Sequence, residues 1–303
     1  KVPFDGFSDK RIYVWIEAVM GYVTSTIKIL EGKTETWKDY WMGEDTKIYF
    51  VHGKDNIPFH TVIFPAILSG LGVKNPNLQI VSSEYMKLEG KPFSGIKNWA
   101  VWAKDAVERY GSDEVRYYLL FNCPENGDTE FKWKDFVNLI NKDLNKLINT
   151  YINNVFLIAK NQLNEELKEI SVSKETKKLI LDTYFEVGDS IESGKIKEAI
   201  LKILSLIKKS EKRLEECKSM KSQEELNILI FEQMQIVGSL GIMLDPFTPK
   251  AAKKIRDRLN IKNMMWSYNE VYNTKNFKEI NIFKKIEYTN VILENKKLKE
   301  AKI

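Results

Sequence analysis

One short stretch, residues 49–65 (YFVHGKDNIPFHTVIFP), constrains the fold of this chain more than any other. The run IYFVH at its start is apolar and β-prone, which predicts a buried strand. A turn follows at Gly53, where Asp55 or Asn56 can cap a helix. Pro58 suits the first turn of that helix, because its missing N–H is not needed there. Strand, tight turn and helix in this order are typical of an α/β fold.

The turn and the helix after it also carry side chains that suit a small ligand. Backbone N–H groups at a helix N-terminus attract an anion, and Lys54 adds a mobile positive charge. Asp55 offers an acceptor to a sugar hydroxyl. Asn56, His60 and Phe64 are four residues apart and therefore share one face of the helix. We interpret the turn as a ledge for a nucleotide and this face as a pocket wall; an ordinary α/β unit with a packed histidine is the alternative.

A second group of side chains precedes this stretch, in the segment RIYVWIEAVMGYVTSTIKIL. Arg11 to Trp15 is predicted to be a strand, and helical spacing begins at Trp15. The side chains that share a helical face, at intervals of three and four, are Trp15, Ala18, Val19 and Tyr22. Packing in the core is the simpler explanation of this face, and a further pocket wall is the other.

Other patterns place elements around these two segments. TETWKDYW predicts a short helix, and NPNLQIVSSEYMKLEG predicts a further strand and turn. A helix is predicted from about Val101, followed by one capped at Ser112 or Asp113. No strand is predicted after it until the last forty residues, which mix short strand-like and Lys-rich helical pieces. From Trp133 to about Leu259 the pattern is almost entirely helical. Short loops between long amphipathic helices, with boundaries at Gly194 and at Asp245–Pro246, predict a helical bundle.

Composition excludes several classes of protein. No run of eighteen apolar residues is present, so no membrane-spanning helix is predicted. Cys123 and Cys217 stand alone and the histidines are His52 and His60, so neither a disulfide framework nor a zinc site is expected in the chain. The isolated cysteines fit a reducing cytosol, and a cytoplasmic location is expected. A net charge of +5 is weak evidence for nucleic-acid binding. The sequence starts at Lys1 with no initiator Met, which suggests part of a longer protein.

Several segments, taken in order, resemble the methionyl-tRNA synthetases, a family of class I aminoacyl-tRNA synthetases. They are YVWIEAVMGY, GKDNIPFHTVIFPA, NWAVW, RYYL with PENGDTEFKWKDF, and LDPFTP. The likeness runs to about Ile255. It implies an α/β Rossmann-like nucleotide-binding half-domain in residues 1–132, followed by an all-α anticodon-binding bundle in 133–260. Residues 261–303 would be a tail packed on one of these two. The half of the family's catalytic domain that carries the HxGH-type signature and a zinc-bearing insertion has no counterpart in these residues.

The resemblance implies a reaction and a set of site residues. In this family methionine and ATP, with Mg as its counter-ion, form methionyl-adenylate, and the methionyl group then passes to tRNA. The residues that match the methionine pocket are Trp15, Ala18, Tyr22, Asn56, His60 and Phe64. Those that match the ATP-side turn are Gly53, Lys54 and Asp55. Asn56 stands where an apolar side chain is common, and Val19 where Pro is usual.

The family's KMSKS loop, whose lysines contact the ATP phosphates, is a clear departure. The aligned residues run from Pro92 through Ser94 to Ile96, so both signature lysines are absent. Lys91 and Lys97 flank the loop and are the candidates to replace them as catalytic groups, with Ser94 as a further ATP contact. Losing one such charge-stabilising group commonly lowers a rate by about a hundredfold or more, so reduced activity is expected.

The anticodon-reading positions depart as well. Thr150 and Asn154 stand where the family's helix offers Asn and Arg. A shift of one residue would place Asn149 and Asn153 there, and neither register restores the Arg, whose bidentate contacts Asn cannot reproduce. The family's Pro-Trp platform falls near Ser219–Met220, where a lost aromatic removes roughly 1–3 kcal/mol of base stacking. We therefore expect the bundle not to read a methionine anticodon.

Three interpretations stay open. The first is an enzyme that activates methionine or a related amino acid with ATP for transfer to tRNA. The second is a paralogue that activates an amino acid for an acceptor other than tRNA, and the third is a non-catalytic protein that binds an amino acid or nucleotide. The Lys-rich helical residues 195–221 are explained at least as well by solvation as by tRNA binding.

Overall fold

The computed structural model describes residues 2–73, 77–162, 170–218, 220, 222–272 and 277–300. The chain divides into two compact units. The first unit is Lys1–Tyr85 with Pro124–Asp128, and the second unit is Met86–Cys123 with Thr129–Ile303. Each unit is described by itself below. The segments 1–132, 133–260 and 261–303 were divided by family likeness and not by spatial contact, and they stay a prediction.

The first unit opens with three short helices, α1 (Trp15–Ala18), α2 (Gly21–Ile29) and α3 (Trp37–Trp41). The short helix predicted for TETWKDYW is confirmed as α3. Its first turn is closed by Asp39, whose carboxylate accepts a hydrogen bond from the Thr36 N–H at 2.6 Å.

The strand predicted from Arg11 to Trp15 is wrong. In residues 2–14, which the structure describes, no regular element precedes Trp15, where α1 begins, and none of the described strands pairs with this stretch. Ile12, Tyr13 and Val14 are each more than half exposed. Their β-propensity reflects apolar and branched side chains, but a strand forms only where its backbone groups find a partner.

The strand–turn–helix prediction is confirmed in its order and corrected in its detail. Its elements are β1 (Ile48–Gly53), a 3₁₀ turn (Lys54–Asn56), a wide π-type turn (Phe59–Ile63) and α4 (Phe64–Gly70). No side chain caps this helical stretch, so the cap predicted at Asp55 or Asn56 is wrong. A second strand, β2 (Leu78–Ser83), pairs with β1 in parallel along its whole length. Both strands therefore end at the same edge of the sheet, where the 3₁₀ turn begins.

The second unit opens with a small sheet of three strands. β3 (Met86–Leu88) pairs antiparallel with β4 (Lys91–Pro92) and parallel with β5 (Thr129–Phe131). β5 was not predicted, because three residues are too few to show an alternating pattern.

Two helices, α5 (Ala103–Tyr110) and α6 (Ser112–Phe121), lie between these strands in sequence. The cap predicted for α6 is wrong, because Gly111 precedes the helix and no side chain caps it. Asp113 is instead buried, and its carboxylate accepts from the Ala251 N–H at 2.7 Å. The residue therefore caps a helix that is distant in sequence.

The helical bundle is confirmed. Its elements are α7 (Trp133–Leu139), a π-type segment (Ile140–Asn149), α8 (Thr150–Gln162), α9 (Lys174–Glu192), α10 (Ile196–Glu215), α11 (Gln223–Met243) and α12 (Pro249–Leu259). The predicted boundaries are confirmed: α9 and α10 are separated at Gly194, which has φ +75°, and α11 and α12 at Asp245–Pro246. Gly is favoured at such a positive φ, because a side chain would be strained there.

The centre of the bundle is α11, whose residues from Leu229 to Met243 are all buried. Among the described residues it is the one helix long and apolar enough to cross a membrane, but 83% of its most apolar stretch is buried inside the protein. A core helix passes the same test of length and composition.

A largely irregular segment, residues 261–288 without 273–276, follows α12 and leads to α13 (Thr289–Glu300). We call it the strap. Side-chain amides of the bundle bond to its backbone, much as a neighbouring strand would. The pairs are Gln235 with Val271, Asn153 with Ile280, Asn149 with Ile282, Asn145 with Phe283, and Asn141 with Ile286, at 2.7–3.1 Å. Three of these pairs, those of Gln235, Asn153 and Asn141, use both the N–H and the C=O of the strap residue.

Candidate functional site

The centre of the candidate site in the first unit is His60, which lies in the π-type turn and is only 3% exposed. Its Nδ1 lies 2.9 Å from the carbonyl oxygen of Asn56, and its Nε2 lies 3.0 Å from the Tyr22 hydroxyl. A carbonyl can only accept, so Nδ1 carries the proton. In the neutral ring Nε2 is then the acceptor, and Tyr22 donates to it. The backbone, the histidine and the tyrosine thus form one hydrogen-bonded chain.

Aromatic rings surround these hydrogen-bonded groups. The ring of Phe50 lies 4.8 Å from that of His60, and the ring of His52 stacks on His60 at 4.5 Å. Both come from β1, where residues two apart point to the same face. The centre of the Tyr22 ring lies 5.2 Å from that of Phe50 and 5.8 Å from that of Phe64. The orientation of His60 is therefore fixed by packing as well as by hydrogen bonds.

Phe64 lies deeper than a pocket wall would. It is wholly buried and contacts Trp41 edge-on at 5.5 Å. Its neighbours are the apolar core of the first unit: Val19, Val23, Trp41, Phe50, Leu68 and Val73. Phe64 therefore belongs to the core that packs against Tyr22 and Phe50, and it is not a pocket wall.

The predicted aromatic wall, Trp15, lies at the partly exposed side. Its ring stacks on Phe59 with 4.8 Å between centroids and 26° between planes. Phe59 directly precedes His60, so Trp15 reaches the site through that neighbour. Ala18 is exposed at the end of α1, and Tyr22 follows in α2. Phe59 and Phe50 were not among the predicted site residues, although an aromatic residue next to the predicted histidine was a usable signal.

The ATP-side turn differs from its prediction. Lys54 is not a mobile charge, because its ammonium is ion-paired with Glu84 at the end of β2. It also lies 4.6 Å from the centre of the Tyr85 ring. The hydrogen bond to Glu84 raises the pKa of Lys54 above its ordinary value. Gly53, at the end of β1, is the residue from which this turn starts.

Asp55 is also engaged in this turn. The Tyr85 hydroxyl donates to Oδ2 of Asp55, and this bond raises the pKa of Tyr85. The Tyr85 N–H in turn donates to Asp128 at 3.2 Å. A nucleotide that uses Lys54 or Asp55 would have to compete with Glu84 or with Tyr85.

In the second unit, the loop that stands for the KMSKS signature is compact. Ser94 and Trp99 exchange two backbone hydrogen bonds of 2.9 Å, which close the loop. The Lys91 ammonium lies 5.1 Å from the centre of the Trp99 ring. A cavity of about 320 Å³ is lined by Lys91, Pro92, Phe93, Ser94, Lys97 and Trp99. The structure thus brings together the three loop residues that the sequence singled out, Lys91, Ser94 and Lys97.

The predicted RNA-contacting positions lie on the bundle. Thr150 and Asn154 are exposed on α8. In the alternative register, Asn149 and Asn153 are half-buried and bonded to the strap, so they are not free to read a base. Met220 is half-buried just before α11, whereas Ser219 lies outside the described residues.

Among the residues that the structure describes, no group of three His, Cys, Asp or Glu side chains could hold a metal ion. The sequence expectation of no zinc site stays a prediction.

Comparison with known proteins adds the family. A family model described as tRNA synthetases class I (M) matches residues 1–156, which is more than half of the chain. The chain belongs to this family. Among curated proteins, it is 36% identical over 271 residues to methionine–tRNA ligase 1 of Alkaliphilus oremlandii, covering 88% of this chain and 50% of that protein. It is 34% identical over 301 residues to methionine–tRNA ligase of Bacillus cereus, covering 98% and 55%.

The fold class is confirmed by solved structures. Methionyl-tRNA synthetase of Mycobacterium tuberculosis, in complex with methionyl-adenylate, matches with a TM-score of 0.72 and 20% identity, over 89% of this chain and 55% of that one. Its apo form matches with a TM-score of 0.70 and 19% identity, over 91% and 56%. At this identity the likeness shows the fold alone. The chain spans about half the length of the curated relatives that it matches.

Proposed function

We propose that this methionyl-tRNA synthetase-like chain holds methionine and ATP for the formation of methionyl-adenylate, and that the methionyl group then passes to tRNA. The observation that carries the proposal is the chain of hydrogen bonds from Asn56 through His60 to Tyr22, beside the stacked rings of Trp15 and Phe59. These hydrogen bonds join three of the six residues that match the family's methionine pocket.

The proposed binding mode follows from the chemistry of a thioether. Methionine is flexible, and its sulfur makes favourable contacts with aromatic rings. Trp15 would supply a flat, partly exposed wall, and Tyr22 would mark the polar end. Because the donor of Tyr22 is used by His60, its oxygen lone pairs are what it can offer to a ligand. A pocket of aromatic rings with one or two fixed polar groups is typical of a site for a small amino acid.

Lys91 and Lys97 are the proposed charge-stabilising groups. When the methionine carboxylate attacks the α-phosphorus of ATP, the bond to the pyrophosphate oxygen breaks and negative charge leaves with pyrophosphate. Two ammonium groups at one cavity suit this charge, with the hydroxyl of Ser94 as a further donor. Mg²⁺ would enter with the ATP phosphates, since it usually binds through few protein ligands and the substrate.

ATP–pyrophosphate exchange by the full-length protein tests this proposal. We expect exchange that depends on methionine and falls by about a hundredfold in Lys91→Ala and in Lys97→Ala, because each variant removes a charge-stabilising group. Exchange should also fall in His60→Ala, which removes the centre of the methionine site. Lys209→Ala, an exposed lysine of α10, is the matched control and should leave the rate unchanged. Absence of exchange with methionine and with every other amino acid would refute the enzymatic proposal.

A second candidate is an enzyme that activates an amino acid for an acceptor other than tRNA. Two observations favour it. The side-chain amides of Asn149 and Asn153 are hydrogen-bonded to the strap, and Asn154 stands where the family's helix has Arg. Transfer assays separate the two candidates. Exchange without methionylation of tRNA would favour the second candidate, and methionylation of tRNA would rule it out.

Methionine binding without any exchange would instead indicate a non-catalytic binding protein. Calorimetry with methionine, in the presence and absence of ATP, measures this third outcome directly.

A further inference from the structure

The two residues that follow β2 are paired with the ATP-side turn by the register of the sheet. In the parallel pairing, the last residue of β1, Gly53, is level with the last residue of β2, thirty positions later. The same offset continues beyond the strands. Lys54 is ion-paired with Glu84. The Tyr85 hydroxyl donates to Asp55. The register therefore delivers one partner to each charged side chain of the turn, and we call Glu84 and Tyr85 the clamp.

Two hydrogen bonds anchor the backbone of the clamp. The Glu84 N–H donates to the Pro124 carbonyl at 2.8 Å. The Tyr85 N–H donates to the Asp128 carboxylate at 3.2 Å. Both acceptors belong to the segment Pro124–Asp128, which lies in the first unit although the chain on either side of it lies in the second. Because the backbone is held independently, a clamp side chain can change partners without displacing the segment that carries it.

The side chains of the clamp resemble the two ends of a nucleotide in the groups that they present. Glu84 brings a carboxylate to the Lys54 ammonium, where a phosphate oxygen would also fit. Tyr85 brings a hydroxyl donor to the Asp55 carboxylate, as a ribose would. Its ring lies 4.6 Å from the Lys54 ammonium. The turn therefore already holds an anion and a hydroxyl donor, both supplied by the chain itself.

These contacts are weak enough for a ligand to replace. The side chains of Lys54 and Glu84 are 37% and 36% exposed, and Tyr85 is 48% exposed. Ion pairs and hydrogen bonds at such accessible positions contribute little net free energy, because water competes for both partners. A nucleotide that binds through several phosphates and a ribose can therefore displace the clamp, with a loss of apparent affinity.

We propose that Glu84 and Tyr85 form an autoinhibitory clamp, which occupies the ATP-side turn until a nucleotide displaces it. Glu84 competes with the phosphates for Lys54. Tyr85 competes with a ribose hydroxyl for Asp55. The inference rests on the proposed binding of ATP and adds the residues that set its affinity. Because only chains with an open clamp can bind, loosening the clamp raises the apparent affinity in proportion to the open fraction.

Calorimetric titration of the full-length protein with ATP and Mg²⁺, in the absence of methionine, tests the clamp. Tyr85→Phe removes the hydroxyl and keeps the ring, and we expect it to tighten ATP binding by about two- to tenfold. Glu84→Gln removes the charge and keeps the size, and it should tighten ATP binding by about two- to fivefold. Tyr40→Phe and Glu44→Gln, at exposed positions of the first unit, are the matched controls and should bind ATP as the wild type does.

Two parts of the nucleotide separate the two halves of the clamp. Adenosine has the ribose but no phosphate, so Tyr85→Phe should tighten its binding and Glu84→Gln should leave it unchanged. Inorganic triphosphate has no ribose, so Glu84→Gln should tighten its binding and Tyr85→Phe should leave it unchanged. The same titration measures all four affinities.

ATP affinity that is unchanged or lowered in either variant would overturn the inference. A purely structural role predicts this result, because a turn that loses a supporting contact binds its ligand less well or equally well. Equal tightening of adenosine by Tyr85→Phe and Glu84→Gln would also overturn it, since the two side chains would then not act on separate parts of the nucleotide. So would a failure of the wild type and of both variants to bind ATP.

The outcome is distinguishable from that of the proposed function. Tighter ATP binding in both variants, in a protein without pyrophosphate exchange, would refute the enzymatic proposal alone. Normal exchange, with an ATP affinity that neither substitution alters, would refute this inference alone.

Discussion

The first unit and the second unit use the same kinds of polar contact in different surroundings. Around His60 in the first unit, hydrogen bonds are set among aromatic rings at a partly exposed site, and Trp15 and Tyr22 keep open faces. In the second unit, amides and carboxylates lie within a helical core, where Glu232, Gln233 and Gln235 are wholly buried. Polar contacts near a surface can be exchanged for contacts with a ligand, whereas buried ones are costly to leave unpaired. Substitutions should therefore affect ligand binding in the first unit and folding in the second.

Two ion pairs show this contrast directly. Lys54 and Glu84 in the first unit each keep more than a third of the side chain exposed. Arg213 and Glu232 in the second unit form a pair at 2.7 Å in which the Glu232 side chain is completely buried. The other Glu232 oxygen accepts from the Ser173 N–H at 2.9 Å. If Lys54 is removed, water can hydrogen-bond to the Glu84 carboxylate in its place, but water has no access to the buried Glu232 carboxylate.

The largest expected effect is that of Arg213→Ala. This variant leaves the Glu232 carboxylate buried without its cation, which should lower the free energy of unfolding by about 3 kcal/mol. Chemical denaturation of the full-length protein, followed by circular dichroism, measures the change. Lys54→Ala is the control from the first unit and should cost less than about 1 kcal/mol. Similar losses in both variants would break the comparison.

The next effect concerns the amides that hold the strap. Asn153→Ala removes a side chain that bonds both the N–H and the C=O of Ile280, which should cost about 2 kcal/mol. Asn154→Ala, its exposed neighbour, should change stability by no more than about 0.5 kcal/mol. The same denaturation experiment applies. If the two asparagines prove equivalent, the strap does not contribute to the stability of the bundle.

A smaller effect on folding, but a clear one on ligand binding, is expected for Tyr22→Phe. The variant loses one hydrogen bond to His60, which should cost about 1 kcal/mol of stability. The apparent affinity of this variant for methionine, from the exchange assay or calorimetry, should fall by about tenfold, because the oxygen that Tyr22 would offer to the ligand is lost and His60 keeps only its bond to Asn56. Tyr40→Phe, on α3, is the matched control. Unchanged methionine affinity in Tyr22→Phe would place the pocket elsewhere.

The smallest effect is a pH dependence within the bundle. Burial raises the pKa of Asp143, which accepts a hydrogen bond from Tyr117 at 3.1 Å. The folded protein therefore holds this proton more tightly than the unfolded chain, and wild-type stability falls as pH rises through the raised pKa. Asp143→Asn keeps an acceptor for Tyr117 and carries no charge. It should gain stability over the wild type at neutral pH, and the gain should vanish at acid pH. Asp182→Asn, which changes an exposed carboxylate of α9, should show no such pH-dependent gain in stability.

Much of the fold was predictable from the sequence, because long periodic segments carry strong signals. The helices of the bundle follow from apolar spacing, and the boundary at Gly194 follows from the residue type that adopts a positive φ most easily. β1 and the helix after it follow from an apolar run and a turn. The strand predicted from Arg11 failed because propensity says nothing about whether a partner strand is present.

The candidate site was predictable only where chemistry is local. Tyr22 and His60 could be named from the resemblance, but not the chain of hydrogen bonds through the Asn56 carbonyl, which depends on the π-type turn. The pairing of Lys54 with Glu84 joins residues thirty apart and leaves no pattern in the sequence. The spacing of Asn141, Asn145 and the two asparagines after them was visible, but their partner, the strap, has no periodicity of its own.

The pairing of helix and strap also restricts insertions and deletions. The amides of Asn141, Asn145, Asn149 and Asn153 recur every four residues, whereas their partners on the strap, Ile286, Phe283, Ile282 and Ile280, are unevenly spaced. The irregular strap therefore follows the spacing that the helical residues set. Deleting one residue between Asn141 and Asn153 would rotate the amides beyond the deletion by about 100° around the helix. Backbone groups of the strap would then be left without hydrogen-bond partners in the protein interior. In this part of the chain, natural variants should therefore differ in the identity of exposed residues and agree in length.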